Sequence, residues 1–245
     1  MLRFFRSFRH RLLAENRVSR YLLYAFGEIV LVVIGILIAL EVNAWNTEAG
    51  NRKKERYYLN SVKTSIELSQ DELKRVINDA KSISSSADTL FHLLTYQKLD
   101  RLEGSVLDSL LFEASDYSLI SLNDGGVREI LNSGSLDIIR NNQIRVSLAS
   151  WEERLHKIRK FENETELLSL DYLRYLDAFI NVSRWQLDSA SAVIPEKRNS
   201  MLSDPRLRNY LFRIGQVHVN MYRRYTEEKA FQDTLQNLIN KELLK

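Results

Sequence analysis

Residues 59–94 read LNSVKTSIELSQDELKRVINDAKSISSSADTLFHLL. Leu59, Val62, Ile66, Leu73, Val76, Ala80, Ile83, Ala87, Leu90 and Leu94 recur at steps of three and four, and Ser69 alone interrupts the series. Steps of three and four place side chains on one face of a helix that turns every 3.6 residues. A seam this narrow suits a coiled coil or an antiparallel bundle. The stretch therefore decides for an all-α chain.

Toward the N-terminus, residues 46–56 hold no helix breaker except Gly50, so the helix is expected to continue upstream with little or no pause. There it meets YLLYAFGEIVLVVIGILIAL, residues 21–40, whose one charge is Glu28. About 20 residues at 1.5 Å per residue cross a hydrocarbon core of roughly 30 Å. The run from Ile29 to Leu40 covers only about 18 Å. A complete span therefore takes Glu28 into the apolar slab or close under its surface. Trp45 suits the far interface, and Tyr21 and Tyr24 the near one. Val42-Asn43-Ala44 resembles a signal-peptide cleavage site, but the apolar run exceeds the usual length of about 7–15 residues, so a retained span is expected.

An ionisable group at that depth is costly and usually faces protein or water. Gly35 lies seven residues on, and Ala39 makes a small-xxx-small pair with it. Such pairs let helices approach closely. Glu28, Val32, Gly35 and Ala39 thus form a candidate helix–helix contact stripe, with Glu28 protonated or paired to an arginine. The alternative is that Glu28 reaches back to the headgroups near Arg17 and Arg20.

Before the span, MLRFFRSFRHRLLAENRVSR alternates Phe4, Phe5, Phe8 and Leu12 with arginines. This reads as a basic amphipathic arm for anionic lipid, with Arg3, Arg6, Arg9, Arg11, Arg17 and Arg20 as contacts. The net charge of +3 hides a split. Residues 1–20 carry six arginines against one glutamate, and residues 46–245 carry 29 basic and 29 acidic side chains. A balanced domain argues against a nucleic-acid partner. The six arginines outweigh Arg52, Lys53, Lys54 and Arg56 beyond the span. The bias favours a cytoplasmic N-terminus and an outer domain, periplasmic in a Gram-negative cell.

The block SRYLLYAFGEIVLVVIGILIAL followed by NAWN, and the later stretch LNSGSLDIIRNNQIRVSLASW, resemble a family of bacterial single-span membrane-anchored helical proteins of unknown function. The resemblance runs along most of the chain and is specific mainly in these two places. It implies a membrane-anchored helical protein, with the glutamate at position 28 part of the family's block. No activity, ligand or functional residue comes with it.

Downstream of the seam, Leu107, Leu110 and Leu111 predict a helix from about Ser105 to Ala114. NDGG at 123–126 signals a turn with Asn123 or Asp124 as cap, and VREILNS then stops at Gly134. Ser135 can cap a short piece, LDIIRN. This region is expected to pack as short connecting helices across a bundle end. A second long helix is predicted from Asn142 to about Phe179, on the stripe Ile144, Leu148, Trp151, Leu155, Ile158, Phe161, Thr165, Leu168, Tyr172, Leu176 and Phe179. Residues 187–203 read as a loop. SDP at 203–205 starts a last helix running to about Leu243 through Leu207, Leu211, Ile214, Met221, Tyr225, Leu235 and Ile239. Three long helices plus shorter ones predict an up–down bundle over residues 46–245.

Chemistry is sparse. There is no cysteine, which excludes disulfides, zinc–thiolate sites and thiol catalysis. One Glu-x-x-His, Glu153 to His156, falls short of the paired motif of di-metal bundles. No nucleophile elbow or phosphate-binding loop is found. EERLHKIRKFENETE, residues 152–166, reads as an exposed charged face. Trp151, Tyr172, Tyr175, Phe179 and Trp185 read as core packing rather than a ligand pocket. No catalytic residue, metal or cofactor is expected. The expected function is that of a scaffold or interaction protein, a homo-oligomer or the partner of another membrane protein. The alternative is a sensory, ligand-binding bundle that relays a signal through the span.

Overall fold

The computed structural model describes residues 18–96, 102–186 and 191–245, with the backbone alone at 18–20, 185 and 186. The amphipathic arm, with Arg3, Arg6, Arg9, Arg11 and Arg17, lies outside these residues, as does the Arg20 side chain. Helix α1 runs Val18–Thr95 without a break. The chain divides into two units, one ending at Glu55 and one beginning at Arg56.

In the first unit α1 presents its apolar run bare. Leu23 is 77% exposed, Leu31 72% and Trp45 74%. This part of α1 is long and apolar enough to cross a membrane by length and composition.

In the second unit, α1 is followed by α2 (Gly104–Ala114), α3 (Gly125–Asn132), a 3₁₀ turn (Leu136–Ile138), α4 (Asn142–Ala149), α5 (Trp151–Leu176), α6 (Val182–Gln186), a 3₁₀ turn (Pro195–Lys197), α7 (Arg198–Ser203) and α8 (Pro205–Leu243). The described residues contain no strand, only an isolated bridge between Ile180 and Val193. Every apolar seam position of α1 from Leu59 to Leu94 is buried. So are those expected on α8, where His218, Glu228 and Gln232 fill the remaining heptad places. Side-chain pairs fix the directions. The Tyr172 ring lies 5.6 Å from that of Tyr210 while Arg154 meets Glu228, so α5 and α8 are antiparallel. Phe91 lies near Phe212 while Arg56 donates to the Leu243 carbonyl, so α1 and α8 are antiparallel too.

Several boundaries differ from expectation. The second long helix is two helices. At Ser150 the hydroxyl turns back to the Ser147 carbonyl at 2.9 Å, a local bond that competes with the helical ladder. It ends at Leu176, because the next residues turn to bridge Val193. The expected loop at 187–203 contains α7, on which Met201 is buried. Of the two cap candidates at each start, Asp204 caps α8 through a bond from the Arg206 amide at 2.8 Å, while Asp124 stands at the α3 cap with its carboxylate on Arg128 instead. Ser135 precedes its 3₁₀ turn without a capping bond. Gly134, at φ 66°, ends its segment in the left-handed region as expected.

The connecting region does not cross a bundle end. Glu113 of α2 accepts from Ser82 and Ser86, Ser118 reaches Asp79, and Glu129 of α3 accepts from Ser61 and Tyr57. Its partners thus descend along α1 as its own numbering rises. Residues 104–132 form the second, descending member of an up–down–up–down bundle, with α1, then α4 and α5, ascending, and α8 descending.

Candidate functional site

Among the described residues the buried apolar side chains form two clusters. One gathers Leu59 to Ala80 of α1 with Trp151, Leu155, Ile158, Tyr225 and Ile239. The other gathers Ile83 to Leu94 with Leu107, Tyr172, Leu207 and Ile214. Between them lies a polar waist. On α5 the core-facing places Glu162, Thr165 and Ser169 are polar, and on α8 so is His218.

The extended link 116–124 passes through this waist, and side chains hold its backbone. Glu162 Oε1 accepts from the Ile120 amide at 2.7 Å. Glu72 Oε1 accepts from the Ser121 amide at 2.9 Å, and Ser69 Oγ from the Asn123 amide at 2.9 Å. Arg75 donates to the Leu119 carbonyl at 3.1 Å and Ser169 to that of Asp116 at 3.3 Å. Ser65 then takes the Gly126 amide at 2.9 Å. The clamp answers the interruption at Ser69: that place in the seam holds the link. From Asp79 to Ser65, α1 advances about 21 Å at 1.5 Å per residue. Eight residues from Ser118 to Gly126 reach at most about 26 Å at roughly 3.3 Å each, whereas a helical link would reach only about 12 Å, so most of the link must be extended. Extended backbone leaves its amides unpaired, and side chains supply what a helix would have supplied internally.

The waist is electrostatically uneven. Burial pushes the Glu162 carboxyl up, against the lowering effect of its bonds from Tyr225 and Ile120. The Tyr225 hydroxyl lies 2.7 Å from Glu162 Oε1 and 3.0 Å from the Ser118 carbonyl. One phenolic proton cannot serve both acceptors, an arrangement that favours a protonated Glu162. Glu72 is held low by the bond from Arg75. His218 is 2% exposed; its Nδ1 lies 3.1 Å from the Ile214 carbonyl, and its Nε2 has no partner among the described residues. Burial pushes its pKa down, so the ring is neutral with Nδ1 carrying the proton. Ten residues, nearly three turns, further along α8, Glu228 is 1% exposed and accepts from Arg154 at 2.9 Å and Gln232 at 3.0 Å.

Glu162 is thus not on the exposed charged face where the sequence reading put it. Its register with Ile158 and Thr165, four and three residues away, was the available signal. Glu153 does face solvent, paired with Lys157 at 2.6 Å, and the described residues hold no cluster of three metal-ligating groups. Trp151 and Tyr172 are buried, and Tyr175 and Phe179 partly so; the Trp185 side chain is outside the described residues.

A second feature is an open groove of about 530 Å³ between α1 and α8. Phe91, Phe212 and Tyr222 line it together with Lys81, Asp88 and Gly215. In the first unit Glu28, Val32, Gly35 and Ala39 are exposed and fall within about 60° of one another around the helix axis. Tyr21 and Tyr24 are half-buried and Trp45 exposed. The waist and the stripe belong to different units, and neither carries a nucleophile–base pair.

A protein-family model, described as a family of unknown function (DUF6090), matches residues 28–176. Comparisons with curated proteins and with solved structures gave no match. The match opens at Glu28 and closes at Leu176, the last residue of α5, so it takes in the stripe, the seam, the link and Glu162. Covering more than half of the chain, it places this protein in the DUF6090 family, a family of unknown function.

Proposed function

We propose that the protein is a single-span membrane-anchored scaffold whose helical bundle presents an interaction surface on the far side of the bilayer from its basic arm. The observation that carries this is the bare apolar run of α1, in which large aliphatic side chains from Leu22 to Val42 are exposed. A contiguous apolar surface of this length marks a membrane or an interface. The arginines before it favour a cytoplasmic N-terminus in the cell membrane, with residues 46–245 outside. Glu28, Val32, Gly35 and Ala39 are the surface through which a second copy or another membrane protein would pack. Alkaline carbonate extraction, followed by protease digestion of intact spheroplasts, tests both parts. The chain is expected in the membrane pellet with residues 46–245 degraded from outside. Release by carbonate would sink the anchor. Disulfide crosslinking of Gly35→Cys in membranes tests the stripe, and loss of that crosslink in Glu28→Leu is the expected result.

The second reading, a sensory or ligand-binding bundle, is favoured by the groove between α1 and α8. Its volume lies in the range of small-molecule sites, and Phe91, Phe212 and Tyr222 beside Lys81 and Asp88 suit an apolar body with a polar group. Thermal stabilisation of the protein in a small-molecule screen, abolished by Gly215→Leu, would support it.

A further inference from the structure

We propose that the face of the bundle carrying the groove between α1 and α8 pairs with the same face of a second copy, the two bundles running antiparallel. This gives the groove a different occupant from a small ligand. It concerns the second unit alone, so it stands or falls independently of the anchor.

The face is apolar where solvent would favour polar groups. Phe212 is 53% exposed and Val219 52%, and Tyr222 is exposed beside them. Positions 212, 215, 219 and 222 follow at steps of three and four, a stripe of α8 separate from the one that faces the core. Ser84 Oγ donates to the Gly215 carbonyl at 3.3 Å, which sets the middle of the groove at one height on both helices. About that height the lining is balanced. Lys81 lies three residues before Ser84, and Asp88 three after Ser85. Phe212 lies three residues before Gly215, and Val219 three after Gln216.

A two-fold axis in the plane of the face, crossing the helices at this height, lays each helix against its own copy in reverse. Lys81 then stands opposite Asp88 of the second copy, Asp88 opposite its Lys81, and Phe212 and Val219 meet at two further places. Ser84, Ser85 and Gly215 add little bulk at the centre, and the side chains at a contact set how closely helices approach. The charges are available. Lys81 has no ion pair among the described residues, and exposed Asp88 has only His92 Nε2, 3.4 Å from its Oδ1. A parallel pair would set Lys81 against Val219 and Asp88 against Phe212, matching neither charge. The antiparallel pair carries one mismatch, Arg208 opposite Arg223, and Glu227 lies 4.0 Å from Arg223 to offset it.

The chain has no cysteine, so Lys81→Cys and Asp88→Cys each carry a sole thiol. The two full-length variants are purified in detergent and oxidised with copper phenanthroline, separately and mixed. Like thiols lie about 10 Å apart along the helix in the proposed pair, and unlike thiols lie opposite one another. The mixed pair also keeps one Lys81–Asp88 contact, which neither variant alone can form. Disulfide formation is expected to be severalfold faster in the mixture. Phe212→Glu in both variants is expected to abolish that difference, with an unchanged melting temperature showing that the bundle is folded. Sedimentation of thiol-free protein gives a second reading: Lys81→Asp is expected to weaken dimerisation, and Lys81→Asp with Asp88→Lys to restore it. Equal rates in all three reactions overturn the proposal. Equal rates with a retained Gly35→Cys crosslink assign association to the membrane helix alone. Equal rates with thermal stabilisation by a small molecule assign the groove to a ligand.

Discussion

Glu162 shows how much one side chain in the waist can be asked to do. Its Oε1 takes the Ile120 amide and lies against Tyr225, so what matters is the acceptor more than the charge. With its pKa raised by burial, the charged form is the costly one at neutral pH. Glu162→Gln keeps an acceptor without charge, and its stability at pH 7 is expected to equal or exceed that of the parent. Glu162→Ala leaves the Ile120 amide buried and unpaired and is expected to cost about 1–3 kcal/mol. Chemical denaturation of both variants checks the pair. His218 works in the opposite sense. Its folded pKa is pushed below the ordinary value of about 6.5, so its contribution is complete above that pH and is lost as the pH falls through the lowered value. The bond to the Ile214 carbonyl, and after it Asp116, oppose this only in part. Melting temperature is expected to fall between about pH 7 and pH 5, and His218→Leu is expected to flatten that fall. An equally steep profile in the variant would show that the ring is not the titrating group.

At the scale of elements, two glycines make opposite predictions. A Cβ on Gly126 would lie 2.3 Å from the backbone oxygen of Ser61, because α3 begins pressed against α1. Gly126→Ala is expected to cost about 1–3 kcal/mol, as overpacking does. A Cβ on Gly215 meets nothing within 4 Å, and the residue sits inside α8. Gly215→Ala is expected to gain up to about 1 kcal/mol from helix propensity. Thermal melts of the two variants should move in opposite directions. The helices themselves were largely legible, because α1 and α8 repeat an apolar residue every three or four places and a period is a local signal. The link was not. Its amides are held by Ser69, Glu72 and Glu162, which lie 54, 49 and 42 residues from the groups they bind. No spacing in the sequence records such pairings. The trace they leave is indirect: a serine in an apolar seam, and a glutamate in register with Ile158.

On the scale of the molecule, one unit carries an exposed apolar run and the other is a bundle whose core is divided by a polar layer. The bare run of α1 was readable from composition alone. The division of the core was hidden, since each helix shows only one or a few polar places and only their alignment makes a layer. That alignment also bears on the order in which the bundle is assembled. The link can take its register only when α1, α5 and α8 already stand together, because side chains of all three hold it, among them Glu72, Glu162 and Tyr225. Docking of the link is therefore expected to follow the rate-limiting barrier to folding. Tyr225→Phe or Ser69→Ala should speed unfolding and leave the folding rate nearly unchanged, which stopped-flow kinetics on the detergent-solubilised chain would measure. The waist then governs how long the native bundle lasts, and the seams govern how fast it is reached.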